Sequence, residues 1–196
     1  MQVEMLKILL KIKLFVVILT IGSVLKADPY SLANISQYLT NLKFLKADFL
    51  QTSADGAASS GAILIKRPGR MRFEYYKPDK TLVLVSSGAL AIFDPKGDEE
   101  PITYPIKNNP ISLVLTGEVD LLNSGIVENY EKSIEEAVLT IRDPKKPERG
   151  SVELVFTGAK PELKQFTIKN ENGSSTSILL KDIEYPKQIN ETLFSI

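Results

Sequence analysis

Arg67 is the side chain whose type and position promise most. On an extended strand Gly61, Ile63, Ile65 and Arg67 share one face, so a guanidinium continues an apolar row that should point inward. The group carries five N–H donors and no acceptor, a set suited to loose backbone carbonyls at a helix end. Two readings stand. In one, the strand ends at Ile65 and Arg67 is solvated beside the Pro68-Gly69 turn. In the other, the guanidinium sits at the mouth of an apolar cavity, where it needs carbonyl or carboxylate acceptors because an unpaired buried charge is costly.

Little else has the make-up of a reaction centre. The 196 residues include no histidine, cysteine or tryptophan. That removes Ser-His-Asp and Cys-His machinery, thiol redox chemistry, disulfides and thiolate metal sites, and neither a metal nor a cofactor is expected. Glu135-Glu136 and Asp98-Glu99-Glu100 are runs of adjacent carboxylates. Strand neighbours point to opposite faces, so they do not build an acid/base pair. No phosphate-binding glycine loop or nucleophile elbow is present. Basic and acidic residues number 24 each, which leaves no electrostatic footprint for nucleic acid. Binding or transport is expected rather than catalysis.

The next strand places Met71, Phe73 and Tyr75 on one face and Arg70, Arg72, Glu74 and Tyr76 on the other. The first set reads as core, or as the wall of a greasy pocket in which methionine adapts to irregular ligands. Residues 66–80 hold six basic side chains against two acidic ones. A solvated outer sheet face accounts for that, and a docking patch for an acidic partner is the alternative.

The elements that must position these residues are mostly strands. Residues 31–42 place Leu32, Ile35, Leu39 and Leu42 on one helical stripe, started by Asp28-Pro29 or by Ser31. Strands are predicted at 44–51, 61–67, 70–76, 81–85, 90–93 and 101–105, with a flexible loop at 52–60. A Pro-Gly pair fits a two-residue hairpin poorly, so a bulged or looser turn is expected at Pro68-Gly69. The stretch 110–116 starts with Pro110 and stops before Gly117, as a short apolar lid helix would. Further strands are predicted at 126–132, 137–143, 151–157, 163–169, 177–184 and 192–196. The expectation is one antiparallel β-rich domain with a few helices.

Residues 1–27 read as a leader. Lys7, Lys11 and Lys13 precede an apolar run at 14–25, too short for a comfortable membrane span but suited to a secretory signal cut after Ala27. An uncleaved anchor is the rival. Without residues 1–27 the remaining 169 carry 20 basic and 23 acidic side chains, a net charge near −3. With no cysteine after the apolar run, the chain cannot itself be acylated there as a bacterial lipoprotein.

In order along the chain come an amphipathic helix, LKADFLQ, GAILIKRPGRMRFEY, PDKTLVLVSSGALAIFDP, NNPISLVL and LKQFTI. This series resembles the LolA family of periplasmic outer-membrane lipoprotein carriers over most of residues 30–185. The resemblance implies an incomplete antiparallel β-barrel closed by short lid helices. It implies a monomeric periplasmic carrier that takes triacylated lipoproteins from an inner-membrane ABC transporter (LolCDE-like). The cargo passes to an outer-membrane acceptor, LolB-like where one exists. The family arginine of the KRP motif matches Arg67, where it would bond lid carbonyls, near residues 111–116 or the first helix, and latch the empty carrier. The acyl-chain wall would comprise Leu45, Phe49, Ile63 and Ile65, then Met71 and Phe73, with Ile111 and Leu115 from the lid. Met71 stands where the family has an aromatic residue, and Ala91 where many relatives carry tryptophan. Some relatives continue beyond the position of Ile196 with a further strand. LolB shares the fold but is itself a lipoprotein, which the missing cysteine argues against. Other periplasmic proteins of this fold bind different lipids or sense acylated ligands, and they are the nearest rival reading.

Overall fold

The computed structural model describes residues 28–94 and 100–195. The expected leader, the Asp98-Glu99 pair and Ile196 lie outside the described residues. The helix α1 (Leu32–Asn41) forms where the apolar stripe placed it. Ser31 rather than Asp28 caps it: the Ser31 side chain accepts from the Asn34 N–H at 3.2 Å, while Asp28 accepts from the Tyr30 N–H at 3.0 Å. Ile35 and Leu39 turn inward and are buried.

The strands are β1 (Phe44–Ser53), β2 (Ala58–Lys66), β3 (Arg70–Tyr75), β4 (Leu82–Ser86), β5 (Ala89–Phe93) and β6 (Ile102–Pro105), followed by β7 (Val127–Lys132), β8 (Glu136–Arg142), β9 (Ser151–Thr157), β10 (Glu162–Lys169) and β11 (Ser175–Glu184). They form one antiparallel sheet in the order β6-β5-β4-β3-β2-β1-β11-β10-β9-β8-β7. Two meanders are thus joined where β1 pairs with β11, and the sheet stays unclosed between β6 and β7. The inner face carries the alternate apolar residues expected of half-buried strands, among them Leu45, Ala47 and Phe49 of β1 and Ile63 and Ile65 of β2. Phe49 lies opposite Gly61 in the β1–β2 ladder and meets the rings of Phe73 and Tyr75 edge-on, at 5.3 Å and 5.1 Å between centroids. A side chain at Gly61 would collide with the Glu74 carbonyl and lie 2.7 Å from the Phe49 ring, so glycine makes this close approach possible.

Three local expectations are corrected. The loop at 52–60 shrinks to a tight turn, because Thr52 to Ser60 continue the β1–β2 ladder from both sides; backbone pairing does not need apolar side chains. The lid stretch is not an α-helix. It holds two single 3₁₀ turns, Ile106–Asn108 and Pro110–Leu113, the second capped by Asn109 accepting from the Ile111 N–H at 3.0 Å. So short a segment cannot recover the cost of nucleating an α-helix, and the tighter turn serves instead. Residues 192–196 were expected as a strand, but Glu191–Phe194 is a 3₁₀ turn whose Asn190 cap accepts from the Thr192 N–H at 3.1 Å. This turn packs against the outer face of β3 and β4, and Phe194 is buried there. It explains why β4 is apolar on both sides: Val83 and Val85 pair with Phe73 and Met71 on the inner face, while Leu84 and its partner Ala91 are buried on the outer one.

Candidate functional site

The concave face is closed by a cover made from two stretches far apart in sequence, α1 and residues 106–121. Side chains on one face of α1 stitch them together. The Ser36 hydroxyl donates to the Val119 carbonyl and accepts from the Leu121 N–H at 3.2 Å, and the Thr40 hydroxyl accepts from the Val119 N–H at 3.2 Å. Ser36 and Thr40 are four residues apart, hence neighbours on the helix surface. Ile111, Val114, Leu115, Val119 and Leu121 fill the space beneath.

Under the cover lies an apolar cavity of about 20 Å³. Leu39 and Leu42 of the helix region, Ile65 and Met71 of the first meander, Ile111, Val114 and Leu115 of the cover, and Leu154, Leu163 and Phe166 of the second meander line it, with Arg67 at its edge. That volume is close to the least that holds one water molecule, roughly 10–15 Å³. The site is therefore shut, and anything larger must displace the cover.

Arg67 is only 6% exposed, although β2 ends one residue earlier at Lys66. Its own N–H donates to the Lys43 carbonyl at 2.9 Å, which fixes the backbone against the end of the helix segment. The guanidinium then reaches across the join of the cover. Nε donates to the Thr116 carbonyl at 3.1 Å, Nη2 donates to the same oxygen, and Nη1 donates to the Leu42 carbonyl at 3.4 Å. Two turn residues on, Gly69 (φ +75°) donates its N–H to the Leu115 carbonyl at 2.8 Å. One three-residue turn thus holds two consecutive carbonyls of the cover and one at the end of α1. Lys66 and Arg70 pair across its base, which makes it the looser turn that Pro68-Gly69 called for.

Among the described residues the partners of Arg67 are carbonyls rather than a carboxylate. Burial pulls the guanidinium down to about 10, with a small opposing effect from Tyr38. It remains protonated at neutral pH. Carbonyl dipoles compensate a buried charge less well than a counter-ion does, so the closed arrangement holds a cation that gains hydration when the cover lifts.

Of the residues expected to form an apolar wall, Ile65, Met71, Ile111 and Leu115 line the cavity together with Arg67. Leu45, Phe49, Ile63 and Phe73 are buried in the same core without lining it. Sequence reasoning missed Leu154, Leu163 and Phe166; the last two are three residues apart and are both buried because β10 bulges between Leu163 and Gln165. It also missed Ser36 and Thr40, whose only signal is two hydroxyls at helical spacing. Glu135 and Glu136 are exposed at the β7–β8 turn, as their sequence setting suggested. No helix among the described residues is long and apolar enough to cross a membrane.

Residues 40–196 match the profile of the family described as outer membrane lipoprotein carrier protein LolA. An outer-membrane lipoprotein carrier protein of Coxiella burnetii is 25% identical over 185 residues, 89% of this chain and 86% of that protein. One of Dechloromonas aromatica is 29% identical over 170 residues, 82% of this chain and 80% of that protein. Among solved structures, a LolA superfamily protein from Nitrosomonas europaea is 10% identical, with a TM-score of 0.45 over 85% of this chain and 98% of that one. With its profile matched across four-fifths of its length, the chain belongs to the LolA family of outer membrane lipoprotein carrier proteins.

Proposed function

We propose that the protein is a periplasmic carrier that takes up the acyl chains of lipoproteins leaving the inner membrane and hands them to an outer-membrane acceptor. The observation that carries this reading is the Arg67 clasp over a shut apolar cavity. A permanent binding pocket has no need of a latch, whereas a shuttle must open, load, close and discharge.

The physical chemistry sets the terms. Burial is worth about 0.8 kcal/mol per methylene. Three long acyl chains therefore represent on the order of 30 kcal/mol, more than the roughly 18–21 kcal/mol at which non-covalent affinities saturate. Cargo is never free in water, and transfer runs mouth to mouth between proteins. The carrier must hold the chains loosely enough to release them. Opening the cover breaks the bonds from Arg67 and Gly69 and exposes Ile111, Val114 and Leu115, and that penalty offsets part of the burial gained. After discharge the cover folds back onto its own apolar wall, so the empty state is soluble. The family's carriers are binding proteins without catalytic machinery, in keeping with a site that offers carbonyls, a guanidinium and aliphatic side chains.

The deciding experiment incubates the purified protein, without its leader, with spheroplasts that retain triacylated lipoproteins. Soluble complexes containing lipoprotein are expected. A folded protein that leaves all lipoprotein in the membrane overturns the proposal.

A further inference from the structure

The segment after β11 does more than finish the chain's path around the sheet. It runs from the mouth of the sheet to the outside of the strands that carry the Arg67 turn. At one end Tyr185 meets Tyr38 of α1, hydroxyl to hydroxyl at 3.1 Å. Further on, the Glu191 carboxylate divides its two oxygens: Oε1 pairs with Lys66 and Oε2 with Arg70. Arg72 donates to the Leu193 carbonyl at 3.1 Å, and Phe194 is buried on the outer face of β3 and β4.

Lys66 and Arg70 are not arbitrary cations. They are cross-strand partners, the last residue of β2 and the first of β3, and they form the base of the turn that presents Arg67 and Gly69 to the cover. Like charges directly opposite in a ladder repel and would splay that base. A carboxylate between them turns repulsion into a two-sided bridge. The basic outer face that could have been simply solvated is met by the chain's own acid.

We propose that Glu191 is a positioning residue for the cover: by bridging Lys66 and Arg70 it holds the 67–69 turn in the pose from which Arg67 and Gly69 grip Leu115 and Thr116. The segment after β11, a strap, holds Lys66 and Arg70 at the base of the turn while the cover is held by the turn's own residues 67 and 69, so loosening one loosens the other. Loss of the Glu191 bridge shifts the cover towards open. The proposal deepens the carrier reading and rests on it for its biological meaning, but its test needs no lipoprotein.

The test follows uptake of the apolar dye bis-ANS by the full-length mature protein, as a measure of how often the cover opens. Glu191 is exposed, so Glu191→Gln leaves the core untouched. The variant is expected to take up dye about twofold to fivefold faster than the unaltered protein, the range an exposed ion-pair network supplies. The same substitution on an Arg67→Leu background is expected to have a clearly smaller effect, because only the Gly69 bond to the Leu115 carbonyl then remains for Glu191 to position. High salt is expected to bring the unaltered protein up to the rate of Glu191→Gln. An unchanged uptake rate overturns the proposal, and so does an equal increase in both backgrounds, which marks a general loosening independent of the latch. Failure of the carrier reading shows separately, as absence of lipoprotein release from spheroplasts.

Discussion

Arg67 and Thr116 are joined twice, by Nε at 3.1 Å and by Nη2 on the same carbonyl oxygen, across 49 positions of sequence and across the seam between sheet and cover. Both donors are fixed in one plane, so the join is directional as well as strong. It links β2, which cannot move without breaking the sheet, to a cover built of single turns, which can.

Arg67→Leu is expected to keep acceptance of lipoprotein and to lose discharge. The leucine blends with Leu42, Ile65 and Met71 around it, so cargo meets less opposition from a cover that wants to close. Unfolding free energy should change by less than about 1 kcal/mol, since removing a poorly compensated buried charge offsets the lost bonds. A release-and-transfer assay with a membrane acceptor checks the first part and urea denaturation the second. Transfer at the unaltered rate sinks the latch.

Acid should loosen the strap in a definite direction. Hydrogen bonding from Lys66, reinforced by Arg70, holds the Glu191 carboxyl below its ordinary 4.5. Its folded value lies under its unfolded one, so the stabilisation is complete above about 4.5 and drains away as pH falls through the folded value. Glu191→Gln should therefore melt below the unaltered protein at neutral pH, and the gap should narrow as pH falls below 4.5 and the Glu191 carboxylate takes up its proton. A gap between the two melting temperatures that persists undiminished in acid contradicts this assignment.

Much of this was readable in the chain. Period-two alternation in β1, β2 and β3 named the inner residues correctly because each of those strands has one wet and one dry face. Strand parity left Arg67 either facing inward or solvated beside the Pro68-Gly69 turn, and it was the resemblance of its KRP motif that favoured cover carbonyls as its partners. What sequence could not supply was which distant segments meet. Leu163 and Phe166 are three residues apart, which simple alternation would send to opposite faces; the bulge between Leu163 and Gln165 lets both be buried, and the joining of two meanders at β1 and β11 brings them and Leu154 under the cover. The strap was misread for a related reason. Residues 192–196 have strand-like composition, but β1 is already paired on both sides, with β2 and β11, and Asn190 caps a 3₁₀ turn at Glu191–Phe194.

Gly61→Ala should be damaging out of proportion to its size. The methyl group would meet the Glu74 carbonyl, part of the β2–β3 ladder and unable to retreat, and would press on Phe49. Overpacking of this kind costs about 1–3 kcal/mol. Urea denaturation measures it directly. A Phe49→Leu substitution in the same chain should recover only the part due to the ring, leaving the carbonyl clash. Full recovery would show that the backbone approach does not matter.

The stitching of α1 to residues 118–121 makes a sharper demand, because it predicts that the cover moves as one body. Val119 and Leu121 are buried, yet the N–H groups of both rely on hydroxyls of α1 rather than on main chain. Removing those hydroxyls by Ser36→Ala and Thr40→Val leaves two amides without acceptors, at about 1 kcal/mol each. Amide hydrogen exchange at Val119 and Leu121 should then quicken on the order of fivefold or more, with β1 and β2 amides unchanged. If the two halves of the cover open together in the native protein, α1 amides and those of residues 111–121 exchange with a common opening free energy before the substitutions and with separate ones after. Separate values already present in the unaltered protein would mean that α1 stays on the sheet while residues 106–121 swing alone, and that the bond from Arg67 to Leu42 plays no part in opening.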